Sequence, residues 1–160
     1  MEQRETADYG GDVNQFLTFS LGTEEYGMDI LRVQEIKGNS AITHIPNAPK
    51  HVKGVMNLRG TVVPVVDLRA KFSMEAVEYG KFSVIIVVMV GQKVSGLVVD
   101  AVSDVLNIAA SDIRPAPDFG ASCDTRFISG VASIGEKLAV LLEIDKLLSE
   151  EEVAVTAGSN

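Results

Sequence analysis

Short apolar segments of five to eight residues, broken by Gly, Pro, Asn and Asp, run through most of the chain. That punctuation predicts strands as the main element. Ten are expected, over 15–21, 25–29, 33–36, 51–58, 61–66, 83–90, 93–99, 101–108, 126–134 and 137–142. The segment from Val84 to Val90 has no polar alternation, so both of its faces should be buried, one in its own barrel and one against a neighbour. Helical pattern is confined to Asp67–Phe72 and to Ile144–Glu152, where Ile144, Leu147 and Leu148 form a one-sided apolar stripe.

The glycine spacing carries a duplication, and self-similarity of this kind decides the fold class. Gly22 and Gly91 stand 69 residues apart, as do Gly27 and Gly96. Gly54-Val55 and Gly130-Val131 stand 76 apart. Thirteen residues beyond each of these last glycines comes an acid followed by an aliphatic, Asp67-Leu68 and Glu143-Ile144. The period lengthens by seven, which predicts a longer connection in the second half, around Pro115 to Asp124. A half of about 70 residues has a marginal core by itself, so two are expected to share an apolar seam whose rim forms a groove. The expected organisation is a mobile polar leader over 1–14, a domain over 15–152 built of two interlocked subdomains (about 15–80 and 81–152), and a fraying tail over 153–160.

Composition narrows the chemistry. The 160 residues carry 14 Lys plus Arg against 22 Asp plus Glu, a formal charge of -8, the wrong sign for neutralising phosphates. Nucleic acid and anionic membrane surfaces are therefore not expected partners. The first twelve residues have no apolar centre of a secretory signal, and the longest apolar run, seven residues, falls far short of a membrane span of about 20. The single cysteine, Cys123, excludes an internal disulfide and is at home in a reducing compartment, so the cytoplasm is the expected location.

No catalytic signature emerges. Neither a G-x-x-x-x-G-K-[ST] nor a G-x-G-x-x-G is present, and Gly10-Gly11 lies in the polar leader with no strand before it. His44 and His51, seven apart beside Pro46 and Pro49, have no second pair of ligands at metal spacing. No cofactor or metal is expected. The unusual feature is charge embedded in apolar strands: Glu35 in Val33-Gln34-Glu35-Ile36, Arg59 after Val55-Met56-Asn57-Leu58, and Asp67 after Val65-Val66. Such groups either pair internally, as Glu35 and Arg59 would, or wait at a surface for a partner.

In these segments the chain resembles the CheW family of bacterial chemotaxis coupling proteins. The resembling residues are Phe16–Gly22, Glu24–Ile36, Lys53–Gly60, Val63–Arg69, Gly96–Leu106 and Ile113–Phe119. Several long motifs in order, over about 15–152, are far more specific than any one of them. The resemblance implies an all-β fold of two five-stranded SH3-like barrels side by side, with short helices including one at the C-terminus. It also implies a non-catalytic adaptor that binds the tip of methyl-accepting receptors and the regulatory domain of the histidine kinase CheA, at the inner face of the membrane through receptor arrays and beside other copies of itself.

Carried over by position, the receptor groove would use Ile30, Val33, Glu35, Arg59, Val84, Val102 and Val105. Apolar side chains there would take the face of a helical hairpin while Glu35 and Arg59 set its register. Kinase contacts would come from the barrel ends, through Ile42 and His44 in the first and Arg114 and Phe119 in the second. The competing reading is a β-barrel with a small-ligand site, or a hydrolase, in the groove. An enzyme would show convergent titratable groups in a pocket, and an adaptor an apolar groove with charges at its rim.

Overall fold

The computed structural model describes residues 13–38, 41–72, 74–75, 82–115 and 127–148. Among the described residues, ten strands lie within one or two residues of the expected bounds: β1 Val13–Leu21, β2 Glu24–Asp29, β3 Val33–Lys37, β4 Val52–Leu58, β5 Thr61–Asp67, β6 Val84–Val90, β7 Lys93–Val99, β8 Ala101–Ala109, β9 Ile128–Ile134 and β10 Lys137–Leu142. Helix α1 (Leu68–Lys71) and helix α2 (Ile144–Leu147) follow β5 and β10. Both are shorter than the pattern suggested, and 149–152 lie outside the described residues, as do Gly10, Gly11, Phe119, Cys123 and both termini beyond 13 and 148. Asp67, expected either to pair internally or to wait for a partner, caps α1 by accepting the Arg69 N–H at 3.0 Å.

The strands form two five-stranded sheets, in the orders β9-β10-β2-β1-β8 and β3-β6-β7-β5-β4. These are the two SH3-like barrels, and the orders correct the expected division at 80/81. Each sheet takes strands from both halves of the chain, so neither 15–80 nor 81–152 makes a barrel alone. The exchange is reciprocal: β2 pairs in parallel with β10 through Gly27 and Leu141, and β7 with β5 through Gly96 and Val65. Those pairs are related by the same offsets of 69 and 76 read in the sequence. Periodicity reports which face of a strand is apolar but not which strand lies beside it, so the exchange could not be read from pattern.

The duplication extends to fine geometry. Gly22 and Gly91 both hold the left-handed turn conformation, at φ 63° and 61°. Thr43 bridges Val55 as Arg114 bridges Val131. Each bridge lies so close to its neighbouring glycine that a Cβ would collide: at Gly54, 2.2 Å from the Thr43 carbonyl oxygen, and at Gly130, 2.8 Å from that of Arg114.

The seam is the main core. Leu17, Phe19, Leu21 and Met28 from one sheet pack with Val66, Ile86, Val88, Leu97 and Val99 from the other, closed by Leu142, Ile144, Leu147 and Leu148. In β6 the alternate residues Ile86, Val88 and Val90 enter this seam, while Ile85 and Val87 face their own barrel with Met56, Leu58, Val63 and Val65. The unbroken apolar strand is thus two-faced, as expected.

Two ion pairs latch the halves, each joining an arginine of the first half to an aspartate of the second. Arg69 of α1 reaches Asp100 with both Nε (2.9 Å to Oδ1) and Nη2 (2.5 Å to Oδ2), and the Gly22 N–H also donates to Oδ2 at 2.8 Å. Asp145 of α2 accepts two bonds from Arg32, at 3.0 and 2.5 Å. The Arg69 hydrogen bond, aided by the Gly22 N–H, outweighs burial and holds the Asp100 carboxyl below its usual range.

A group whose folded pKa is lowered stabilises the fold above its unfolded value, and the gain is lost as pH falls through the folded one. Asp100→Asn is expected to cost about 1–2 kcal/mol near neutral pH, from loss of charge-assisted bonds in a partly solvated site. The deficit relative to the parent should close as pH drops below about 4, measured by denaturant titration at several pH values.

Candidate functional site

Four of the expected groove residues border the seam. Ile30, in the 3-10 turn Ile30–Arg32, Val33 at the start of β3, Val84 at the start of β6 and Val102 in β8 are half-buried and all pack on the seam core. The seam itself is filled, so what remains for a partner is its rim. Val105 lies on β8, 44% exposed. Opposite residues of paired strands share a face, and Val105 lies opposite Leu17 as Val102 lies opposite Phe19, both seam residues, so the two valines stand on the seam side of the edge strand.

Glu35 and Arg59 meet. Arg59 Nη2 donates to Glu35 Oε2 at 2.5 Å, with the guanidinium side chain 69% exposed and the carboxylate side chain 28%. Glu35 is on β3 and Arg59 in the β4–β5 turn, so the pair spans the two edges of its sheet where the barrel curls closed. Arg59 adopts φ 51°, rare for a side-chain-bearing residue, which places it at the tip of the hairpin. The hydrogen bond from Arg59 lowers the Glu35 pKa, and the same bond raises that of Arg59. The outward member is the cation, with further N–H groups available to an acceptor.

Sequence reasoning left out Ile36, which is 43% exposed. It lies opposite Ile86 as Val33 lies opposite Val88, so β3 presents the same seam-side apolar pair as β8. The signal was available: Val33 and Ile36 are 69 residues before Val102 and Val105.

Of the kinase-facing candidates, Ile42 and His44 share a cleft that no groove residue lines, and Phe119 lies outside the described residues. Ile42 packs on the core of the second sheet, and with His44, Lys50, Val52, Lys53 and Asp67 lines an open cleft of about 430 Å3. Arg114 sits in the bridge to Val131, the counterpart of the Thr43 bridge beside Ile42 and His44. A smaller cavity, about 210 Å3, is lined by Phe16, Asp29, Arg32, Ser129, Leu142, Glu143 and Ile144. Ser129 and Glu143 follow Lys53 and Asp67 by 76 residues, so the two cavities share one pair of duplicated positions. Neither is lined by a groove residue. Among the described residues no three His, Cys, Asp or Glu side chains converge as a metal site would require, and no helix is long and apolar enough to cross a membrane.

Comparison with known proteins agrees with the geometry. The model of the CheW-like domain matches residues 15–152. The chain is 51% identical over 141 residues to the chemotaxis protein CheW of Klebsiella aerogenes, covering 88% of this chain and 85% of that one. Against CheW of Rhizobium meliloti it is 41% identical, over 86% and 89%. The crystal structure of the scaffolding protein TtCheW from Thermoanaerobacter tengcongensis superposes with a TM-score of 0.79 at 34% identity, covering 87% of this chain and 94% of that one. With two strand-exchanged barrels, the matching motifs in order and relatives at this identity, the chain belongs to the CheW family of chemotaxis coupling proteins.

Proposed function

We propose that this protein is a non-catalytic adaptor that holds the cytoplasmic tip of a methyl-accepting receptor in the rim groove and the regulatory domain of CheA at its barrel ends. The observation that carries the reading is the rim: apolar residues on β3 and β8 flank a filled seam, and a guanidinium stands out at one side. An apolar strip with a charge at its margin suits the face of a helix better than it suits a small molecule. Kinase binding is assigned to Ile42, His44, Arg114 and Phe119, and partners on two faces raise each other's effective concentration on the adaptor. Control of the kinase then follows when a receptor rearrangement favours one kinase state over another. The working location is the inner face of the membrane, reached through the receptors.

Purified chain should retain a receptor cytoplasmic fragment and a CheA regulatory domain together on a sizing column, and retention of neither would remove this reading. Arg59→Ala should weaken the receptor fragment by about fivefold to tenfold, the scale of one charged contact at a rim. Kinase-domain binding and the melting temperature should stay near parental values, because the Arg59–Glu35 pair is largely solvated. Equal loss of both partners would remove Arg59 from the receptor contact.

A further inference from the structure

Charge is spread unevenly along this acidic chain. Between Glu35 and Asp67 there is no acid, while the stretch 36–66 holds Lys37, Lys50, Lys53, Arg59 and both histidines. The duplicated stretch, 112–142 at the offset of 76, holds Asp112, Asp118, Asp124 and Glu136 beside Arg114, Arg126 and Lys137. The excess of cations therefore belongs to one copy of the duplicated unit and is not a requirement of the fold.

Part of that excess gathers at one cleft. His44, Lys50 and Lys53 are exposed and line the opening of about 430 Å3 together with half-buried Ile42, buried Val52 and Asp67. The Asp67 carboxylate is engaged at the α1 cap, where it takes the Arg69 N–H. In the smaller cavity Ser129 stands at the position of Lys53, Asp29 and Glu143 are among the lining residues, and the guanidinium of Arg32 is held by Asp145. One cavity thus offers cations beside apolar side chains, and the other offers acids beside a cation already paired.

We propose that the larger cleft receives an acidic side chain of the CheA regulatory domain between Lys50 and Lys53, with apolar neighbours of that side chain resting on Ile42 and Val52. This rests on the kinase reading above and names the chemistry by which one barrel end recognises its partner. A free anion is held best where donors converge on one point, as in a nest of backbone N–H groups. An open cleft with lysines on its wall and apolar side chains beside them suits a segment of polypeptide instead. Choosing between two related ends takes an attractive element at one and a repulsive element at the other. The same carboxylate brought to the smaller cavity would face Asp29 and Glu143.

A zero-length carbodiimide joins an amine only to a carboxylate in contact with it. Applied to the full chain bound to a CheA regulatory domain, and read by mass spectrometry, it should join Lys50 or Lys53 to an Asp or Glu of the kinase domain. Kinase-domain affinity is also measured at low and high salt for the parent, for Lys50→Glu, and for Lys137→Glu in the other sheet as a control of equal net charge. Lys50→Glu should weaken binding about tenfold at low salt and much less at high salt, because solvated charges are screened. Lys137→Glu should bind as the parent does, and receptor-fragment affinity should not follow Lys50. Because Lys50 is exposed, its variant should melt near the parental temperature. Kinase-domain binding that leaves both lysines unlinked and is indifferent to Lys50→Glu overturns the proposal while leaving the adaptor reading intact. Links from these lysines to acids of a second copy of this chain, with none to the kinase domain, overturn it too. Failure of the parent to bind the kinase domain at all counts against the kinase reading itself.

Discussion

Phe19→Ala is expected to destabilise the whole protein by about 3–5 kcal/mol, the cost of emptying a large aromatic site. Phe19 is wholly buried in the seam and stacks on Tyr26 with ring centroids 5.9 Å apart. Tyr26 stacks in turn on Phe72, and Phe72 leans on Phe127, so one ring anchors a row that joins both halves of the chain. Against a net stability of about 5–15 kcal/mol for a single domain, this loss removes a large share.

The shape of the transition is as informative as its position. Because each sheet is built from both halves, neither barrel can remain folded once the other is lost. Calorimetry of the variant should show one transition, displaced to lower temperature. Two transitions, with one near the parental temperature, would mean that the barrels are separable.

Gly54→Ala is the second large effect, and its origin is local. A Cβ there would lie 2.2 Å from the Thr43 carbonyl oxygen and 3.0 Å from the Ile42 side chain. Both Thr43–Val55 backbone bonds, 2.8 Å each, would have to break or shift. Backbone cannot swing aside as a side-chain end can, so about 2–3 kcal/mol is expected, the upper range for an overpacked site. The displaced segment carries Ile42 and His44, so kinase-domain affinity should fall tenfold or more while receptor-fragment affinity is largely kept. Gly38→Ala, with open space around its Cβ position, serves as the control and should change neither. Loss of receptor binding by Gly54→Ala to the same degree as kinase binding would contradict the separation of the two faces.

How much of this was legible in the sequence depended on whether the information was local. Strand bounds followed from apolar periodicity, and the two-faced burial of Val84–Val90 followed from its lack of polar alternation. The duplication was visible in glycines because a tight turn at Gly22 and Gly91 and a close approach at Gly54 and Gly130 restrict residue choice at single positions. The longer second connection is also observed in part: Thr43 precedes Gly54 by eleven residues, while Arg114 precedes Gly130 by sixteen.

Partner choice between strands was not legible, since β2 with β10 and β5 with β7 are joined across long separations and any apolar face satisfies another. The latches Arg69–Asp100 and Arg32–Asp145 share that difficulty, lying 31 and 113 residues apart. The Glu35–Arg59 pair was legible as one of two alternatives, because charge inside apolar strands demands either a partner or a surface. The geometry gives it both, with the carboxylate turned inward and the guanidinium outward. Ile36 was missed because its role comes from symmetry with Val105 and not from its own neighbours in sequence.

As an adaptor of the kind proposed, this chain would place a kinase under receptor control by binding both and transforming neither. Reconstitution tests it most directly: CheA autophosphorylation is followed with a receptor in membranes, with and without this protein, as receptor stimulus is varied. The kinase rate should follow the stimulus only when the protein is present, and Arg59→Ala and Gly54→Ala should each blunt the response from opposite sides. A kinase rate that follows the stimulus equally well without the protein, or that ignores it when the protein is bound to both partners, would contradict it.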